Sequence, residues 1–186
     1  MPSTKPRVVE SHQLYAGRIV TLRLDTLALP NDKTVEREVV EHRGAVAMVA
    51  VDEQERVLLV RQYRPAVGID LLELPAGTLE PGEAPDDCAR RELAEELELA
   101  AARWTSLAQC YSSPGFCTEL IHLYLAEELT PARGQLDEDE AITVERLPLT
   151  EIPAQIAAGA IRDAKTIAGL MLALQRHAAT QPAAGD

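Results

Sequence analysis

The residues with the clearest potential for chemistry lie between Gly77 and Leu99, where several glutamates accompany a glycine turn and the start of a helix. Glu92 lies four residues before Glu96 and three before Glu95, so a helix would place the three carboxylates on one face. Like charges at these spacings repel unless a cation binds them. Mg²⁺ is a suitable cation, because it prefers carboxylate oxygens and substrate phosphates. The stretch predicts metal-assisted chemistry on a phosphate compound; the alternative is a solvated helix face.

The spacing of the whole segment resembles the Nudix box, a family pattern of glycine, glutamate, Arg-Glu, an aliphatic residue, Glu-Glu and a final glycine at fixed offsets. The matching positions are Gly77, Glu83, Arg91, Glu92, Leu93, Glu95 and Glu96. One position departs from the pattern, because Glu98 stands where the family has its last glycine. That glycine normally ends the helix in a left-handed conformation. The departure therefore concerns the loop after the helix rather than a metal ligand.

The resemblance implies a site for a divalent metal, Mg²⁺ or alternatively Mn²⁺. The implied ligands are Glu92, Glu95, Glu96 and the main-chain carbonyl of Ala76. Such a metal activates water and neutralises charge on the phosphoryl oxygens while a phosphoanhydride is cleaved. Arg91 is expected to pair with a neighbouring carboxylate, with Glu83 as the candidate, and to assist catalysis beside Glu92. An ordinary helix salt bridge is the alternative for Arg91.

The general base is expected outside the box. In Nudix enzymes that cleave ADP-ribose it comes from an acidic downstream loop, which here corresponds to residues 136–140. Glu140 is the preferred base because it abuts the next strand, and Glu138 is the second candidate. A solvated acidic loop is the alternative for both residues.

Substrate preference is indicated by Pro114 downstream of the box, by the segment SPGF that contains it, and by the segment RQYRPAVG before the box. All three resemble the ADP-ribose pyrophosphatase branch of the Nudix family. The substrate-binding residues that the resemblance implies are Arg18, Ile19, Arg61, Arg64, Pro114, Gly115 and Glu119. A guanidinium group can bind phosphate or stack on a base. Structural ion pairs are the alternative for the arginines, and a simple turn is the alternative for the Pro-Gly pair.

Taken together, the resemblance implies Mg²⁺-dependent hydrolysis of the diphosphate bond of ADP-ribose to AMP and ribose 5-phosphate. The first alternative is the same chemistry on another nucleoside diphosphate derivative, such as a nucleotide sugar or a dinucleoside polyphosphate. The second is a non-catalytic ADP-ribose sensor. The proline at position 114 disfavours the first alternative, and retention of all three helix glutamates disfavours the second.

Composition excludes several other classes of function. A net charge of −12 argues against binding to nucleic acid or to an anionic membrane, whereas a nucleotide remains compatible when Mg²⁺ and local arginines reverse the field. The N-terminus lacks the apolar core of a signal peptide, and no apolar run is long enough for a transmembrane helix. Three cysteines without metal-type spacing favour a reducing compartment. We therefore expect a soluble, cytoplasmic protein.

Hydrophobic periodicity predicts an α/β fold. Residues 17–41 read as a hairpin, 45–65 as two strands buried on both faces, and 71–74, 104–111, 121–126 and 141–148 as further strands. Helices are expected after Pro85, from Thr150 to Ala158 and from Arg162 to His177, and the first ten residues are expected to fray. This order agrees with a Nudix αβα sandwich with a mixed sheet, preceded by a small N-terminal antiparallel β element.

The chain is expected to divide after residue 43. Residues 1–43 would form the N-terminal β element and residues 44–186 the Nudix hydrolase domain. The resemblance implies a homodimer in which the N-terminal element contacts the partner, since the apolar faces of an isolated hairpin need cover.

Overall fold

The computed structural model describes residues 5–134 and 141–180. The chain divides into two compact units, one of residues 1–44 with 111–120 and one of residues 45–110 with 121–186. The first unit thus includes a segment, 111–120, that is distant in sequence from the N-terminal element. Among the helices of the described ranges, none is long and apolar enough to cross a membrane.

The first unit is built on a three-stranded antiparallel sheet in the order β1-β2-β3. Its strands are β1 (Arg7–Ala16), β2 (Val20–Ala28) and β3 (Thr34–His42). The hairpin prediction is confirmed by β2 and β3. The expectation of a frayed start is wrong from residue 7 onward, because β1 pairs with β2 over nearly its whole length.

Segment 111–120 joins the first unit through the end of β3. The Val40 N–H donates to the Phe116 carbonyl at 2.7 Å, and the Val40 carbonyl accepts from the Thr118 N–H at 2.9 Å. These bonds extend the strand pairing of the small sheet to a segment that enters from much later in the chain.

The second unit contains a seven-stranded mixed sheet. Its strands are β4 (Ala45–Val51), β5 (Arg56–Arg64), β6 (Ile69–Glu73), β7 (Ala76–Thr78), β8 (Leu99–Tyr111), β9 (Leu120–Pro131) and β10 (Ile142–Pro148). The main order is β10-β5-β4-β9-β8, with β6 paired to β5 and β7 paired to β4. β4 runs parallel to β9 and antiparallel to β5 and β7. The predicted strands are therefore present, with β8 and β9 longer than expected.

Both faces of the central strand β4 are buried, as its aliphatic sequence predicts. Ala47 and Val49 face a core shared with the helices at the end of the chain. Met48 and its alternating neighbours face a second core shared with Cys88 and Leu93 of the first helix. Helices therefore cover both faces of a mixed sheet, and the predicted αβα sandwich is confirmed.

Three α-helices accompany this sheet in the described residues. They are α1 (Pro85–Leu97), α2 (Ile152–Ala157) and α3 (Ala164–Thr180). The helix expected from Thr150 begins only at Ile152, and Thr150 does not cap it, because Thr150 lies inside a 3₁₀ turn, Leu149–Glu151, that precedes the helix. Asp163 caps α3, since its Oδ2 accepts the Thr166 N–H at 2.9 Å.

The end of α1 shows how Glu98 takes the place of the last glycine of the box pattern. Glu98 adopts the left-handed conformation (φ 54°, ψ 37°) that a glycine normally supplies, and its N–H donates to the Ala94 carbonyl at 3.0 Å. The helix therefore ends as the family pattern predicts, but with a side chain in a strained backbone conformation.

Replacing Glu98 with glycine is expected to stabilise the protein. Removing the Cβ relieves left-handed strain of about 1 kcal/mol, part of which the greater freedom of glycine in the unfolded chain offsets. We expect the free energy of unfolding, measured by urea denaturation, to rise in Glu98→Gly. Glu98→Ala is the matched control, because it removes the carboxylate but keeps the Cβ. Equal stability changes in the two variants would contradict the strain argument.

Candidate active site

Helix α1 places its glutamates beside the segment that follows β6. The helix starts with Pro85 at its first turn, where proline needs no hydrogen-bond partner, and acidic Asp86 and Asp87 complement the helix dipole. The helix makes about three and a half turns, which place the box glutamates along one side. The Glu96 side chain is buried, whereas the Glu95 side chain is partly exposed.

Two of these carboxylates lie against the main chain of Ala76 and Gly77. Glu96 Oε2 accepts the Ala76 N–H at 2.9 Å. A Cβ added to Gly77 would lie 1.8 Å from Glu92 Oε1, so the Glu92 carboxylate occupies the space that only glycine leaves open. Gly77 therefore allows a close approach to the main chain, and the group that approaches is the carboxylate of a box glutamate.

Arg91 links three carboxylates around this segment. Its Nε and Nη2 donate to Glu83 Oε1 and Oε2 at 2.8 and 3.0 Å, a bidentate ion pair. Its Nη1 donates to Glu92 Oε1 and to Glu95 Oε2, both at 2.8 Å. The predicted pairing of Arg91 with Glu83 is confirmed. By holding Glu92 and Glu95 together, the guanidinium offsets the repulsion that their spacing creates.

The electrostatics of the cluster follow from this geometry. The hydrogen bond from Arg91 lowers the pKa of Glu83 to about 2, although burial opposes the shift. The same bond raises the pKa of Arg91 well above its ordinary value. Burial raises the pKa of the Cys88 thiol to about 12, so this cysteine is a packed, unreactive side chain. Glu83 and Arg91 thus remain a charged pair across the working pH range.

The residues present fit a hard divalent cation. Carboxylates of Glu92 and Glu96 approach one short main-chain segment, and the glycine in that segment has no side chain to obstruct them. As the side chains stand, no three His, Cys, Asp or Glu groups of residues 5–134 and 141–180 form a metal-binding cluster. Arg91 pairs with Glu92 and Glu95, so a cation would have to compete with the guanidinium for the same oxygen atoms.

Comparison with known proteins establishes the family. The NUDIX domain family matches residues 41–170, which include the whole glutamate cluster and its supporting strands. The chain belongs to the Nudix family. A solved structure described as "Crystal structure of ADP compounds hydrolase" is similar with a TM-score of 0.85 and 23% identity, covering 94% of this chain and 95% of that chain. The Nudix fold is thereby confirmed.

Three curated relatives are similar over most of their length. The ADP-ribose pyrophosphatase of Bacillus subtilis (strain 168) is 37% identical over 168 residues, which cover 89% of this chain and 91% of that protein. The ADP-ribose pyrophosphatase of Mycobacterium tuberculosis (strain ATCC 25618 / H37Rv) is 40% identical, covering 88% and 80%. The methanol dehydrogenase activator of Bacillus methanolicus is 39% identical, covering 87% and 88%.

Two arginines predicted to bind substrate lie in the second unit of this Nudix protein, both on β5. Arg61 Nε donates to Glu145 Oε1 at 2.5 Å, across the pairing of β5 with β10. Arg64 makes a bidentate pair with the buried Glu73, with distances of 2.8 and 2.9 Å. Each arginine therefore makes the structural ion pair that was the alternative to substrate binding. Their substrate contacts stay predictions.

The other predicted substrate-binding residues belong to the first unit. They are Arg18, Ile19, Pro114, Gly115 and Glu119. Arg18 accepts a hydrogen bond from Arg43 Nη2 at its carbonyl, and Glu119 Oε1 lies 3.7 Å from His42 Nδ1. The candidate bases Glu138 and Glu140 lie outside the described residues. The roles of all seven residues stay predictions.

Sequence reasoning missed a buried ionic cluster at the end of β6. Glu73 is 1% exposed and accepts hydrogen bonds from Arg64 and from Lys165 at the start of α3. Lys165 Nζ also lies 3.0 Å from Asp163 Oδ2. A signal existed, because Glu73 is a lone acidic residue in the apolar run LLELPAG. It could have indicated a buried carboxylate that requires cationic partners.

The Glu73 cluster predicts a pH-dependent stability. Burial alone would raise the pKa of the Glu73 carboxyl, but hydrogen bonds from Arg64 and the charge of Lys165 outweigh it and hold this pKa below its ordinary value of 4.5. A carboxyl group with a lowered folded-state pKa stabilises the fold above its unfolded-state pKa. That contribution is lost as the pH falls through the folded-state value.

We expect Glu73→Gln to lower the free energy of unfolding at pH 7 by about 3 kcal/mol, since one partner of a buried pair is lost. The difference in the free energy of unfolding between the variant and the wild type should narrow as the pH falls below 4.5 and through the lowered folded-state pKa, because the wild-type carboxyl then becomes neutral too. Urea denaturation of both proteins at several pH values measures this. A difference that stays constant down to the lowest pH would contradict the ionic account.

Proposed function

We propose that this Nudix protein hydrolyses the diphosphate bond of ADP-ribose to AMP and ribose 5-phosphate, using Mg²⁺. Its similarity over about nine-tenths of the chain to a protein named ADP-ribose pyrophosphatase is the observation that carries the proposal. The arrangement of Glu92 and Glu96 around Ala76 and Gly77 supports it, because cleavage of a diphosphate needs a divalent cation beside the phosphates.

The proposed roles divide between metal binding and support. Glu92, Glu95, Glu96 and the Ala76 carbonyl would hold the divalent metal, with Mg²⁺ preferred and Mn²⁺ as the alternative. When bound, the metal activates water and neutralises phosphoryl charge. Arg91 holds two of the three carboxylates and is itself fixed by Glu83.

The general base is proposed from the sequence alone. Glu140, or secondly Glu138, both in the acidic sequence 136–140, would accept the proton of the attacking water. Replacement by glutamine keeps the size of each side chain and removes its basicity. The variant with the larger loss of kcat at unchanged metal affinity would identify the base, and wild-type rates in both variants would exclude both residues as the base.

The substrate test compares nucleoside diphosphate derivatives under one set of conditions. We expect the highest kcat/KM for ADP-ribose among ADP-ribose, GDP-mannose and a dinucleoside polyphosphate, each with Mg²⁺. A higher value for either competitor would favour the same hydrolysis on another substrate. Binding of ADP-ribose without turnover of any compound would favour the sensor alternative. We include the sensor alternative because one relative, the methanol dehydrogenase activator, is named for activating another enzyme.

We propose that the chain forms a homodimer in which the N-terminal element, residues 1–43, contacts the partner. Every residue of β1 is exposed, including the apolar side chains of Val8, Val9, Leu14 and Tyr15. A partner covering these side chains would bury apolar surface, which stabilises association. Sedimentation over a dilution series, paired with activity at each concentration, tests this proposal. A fully active monomer would overturn it.

A further inference from the structure

The start of helix α3 is bonded to the strand end that leads into the metal-binding segment. We propose that Lys165 and Thr166 are positioning residues that fix the Leu74–Gly77 main chain for metal binding. This inference rests on the proposed function, because it concerns the same divalent-metal site. Its residues come from the Glu73 cluster, which the Nudix box does not include.

Three successive main-chain groups of this segment have defined partners. The Leu74 N–H donates to Thr166 Oγ1 at 2.8 Å, and Thr166 is completely buried. The Pro75 carbonyl accepts the Met48 N–H at 2.9 Å. The next N–H, that of Ala76, donates to the box glutamate Glu96. The segment is therefore held by α3, by β4 and by α1 within three residues.

The partners supplied by α3 are themselves fixed. Asp163 Oδ2 accepts both the Thr166 N–H at 2.9 Å and the Thr166 hydroxyl at 2.6 Å. The hydroxyl donates to Asp163, so its oxygen is oriented to accept the Leu74 N–H. Lys165 Nζ lies between Asp163 and the buried carboxylate of Glu73, one residue before Leu74. Helix start and strand end are thus joined by one connected network.

Side-chain packing independently fixes the same segment. Gly169, one turn beyond Lys165 on α3, faces Leu74 so closely that an added Cβ would lie 2.7 Å from Leu74 Cδ1. Glycine within a helix costs up to about 1 kcal/mol relative to alanine. Close contact between α3 and Leu74 is a physical reason for a glycine at this position.

The chemical consequence concerns the carbonyl of Ala76. A main-chain ligand has no rotatable side chain with which to adjust, so its position depends on the groups that hold its neighbours. Loss of a group that orients a metal ligand typically weakens metal affinity by tenfold to a hundredfold. Thr166 and Lys165 would orient the proposed ligand, the Ala76 carbonyl, by holding its main chain, although neither side chain would touch the metal.

The test measures Mn²⁺ binding to the protein alone, by the loss of the free-ion electron paramagnetic resonance signal. Thr166→Val keeps the shape and removes the hydroxyl, and Thr166→Ser retains a hydroxyl. We expect Thr166→Val to raise the Kd for Mn²⁺ about tenfold and Thr166→Ser to restore it. Thr130→Val, at an exposed position of β9, is the matched control and should bind Mn²⁺ as the wild type does.

Lys165 gives a second pair of variants that leaves the Thr166 hydrogen bonds intact. Lys165→Met is expected to raise the Kd for Mn²⁺, and Lys165→Arg to recover most of the affinity because it keeps the positive charge. If Thr166→Val does not fold, the two Lys165 variants still test the positioning proposal. A merely structural role would lower the melting temperature and leave the Kd for Mn²⁺ unchanged.

The experiment distinguishes failure of the positioning proposal from failure of the proposed function. If the wild type hydrolyses ADP-ribose and the folded variants bind Mn²⁺ with wild-type affinity, the positioning proposal is overturned and the proposed function stands. If the wild type neither binds Mn²⁺ nor hydrolyses any nucleotide, the proposed function is overturned, and the positioning proposal with it.

Discussion

Glu92→Gln and Glu96→Gln are each expected to lower kcat by several orders of magnitude while the protein remains folded. Glutamine keeps the size of the side chain but removes the charge that a divalent cation requires. The fold should persist, because an amide oxygen at position 96 can still accept the Ala76 N–H. Steady-state kinetics with saturating Mg²⁺, together with thermal unfolding, measures both parts of this prediction.

Asp87→Asn is the matched control for this pair. Asp87 lies on the same helix, is exposed, and loses the same charge on replacement, so kcat should remain near the wild-type value. Wild-type turnover in both glutamine variants would overturn the assignment of these residues as metal ligands. A comparable loss in the Asp87 variant would indicate a general effect of charge on α1.

Gly77→Ala is expected to reduce activity at least about a hundredfold with a small effect on stability. The new Cβ would lie 1.8 Å from the Glu92 carboxylate, so that group must move by more than 1 Å. The carboxylate is the far end of a flexible side chain and can move at low cost to the fold. Misplacement of a catalytic group by about 1 Å can cost a hundredfold in rate.

Gly134→Ala provides the contrasting case. Its Cβ would lie 1.7 Å from the Ala94 carbonyl oxygen, which is backbone and cannot swing away. We expect a loss of about 1–3 kcal/mol in the free energy of unfolding for this variant. Parallel measurement of kcat and of unfolding should therefore separate the two glycines. A Gly77 variant with wild-type kcat would contradict the placement of Glu92 beside the segment.

Much of the fold could be predicted because its signals are local. The aliphatic run of β4 has no polar face, which predicts burial on both sides, and its alternating residues do pack into two cores. The spacing of Glu92, Glu95 and Glu96 determines their common face once the helix forms. Pro85 and the position of Glu98 mark the two ends of that helix.

Other features depended on contacts that local patterns do not reveal. β1 has no buried side chain, so its strand conformation comes from pairing with β2. The attachment of segment 111–120 to β3 requires pairing between residues far apart in sequence. The partners of Glu73 come from β5 and α3, and only the folded chain brings Arg64 and Lys165 together. Long-range pairing of this kind explains what the sequence could not predict.

The most direct test of the central claim is to incubate the purified protein with ADP-ribose and Mg²⁺ in ¹⁸O-labelled water and to identify the products by mass spectrometry. The account predicts AMP and ribose 5-phosphate, with one ¹⁸O atom in one of the two products and no reaction when the metal is chelated. The labelled product would also identify the phosphorus that water attacks. Unchanged ADP-ribose, or cleavage at a bond other than the diphosphate, would contradict the account.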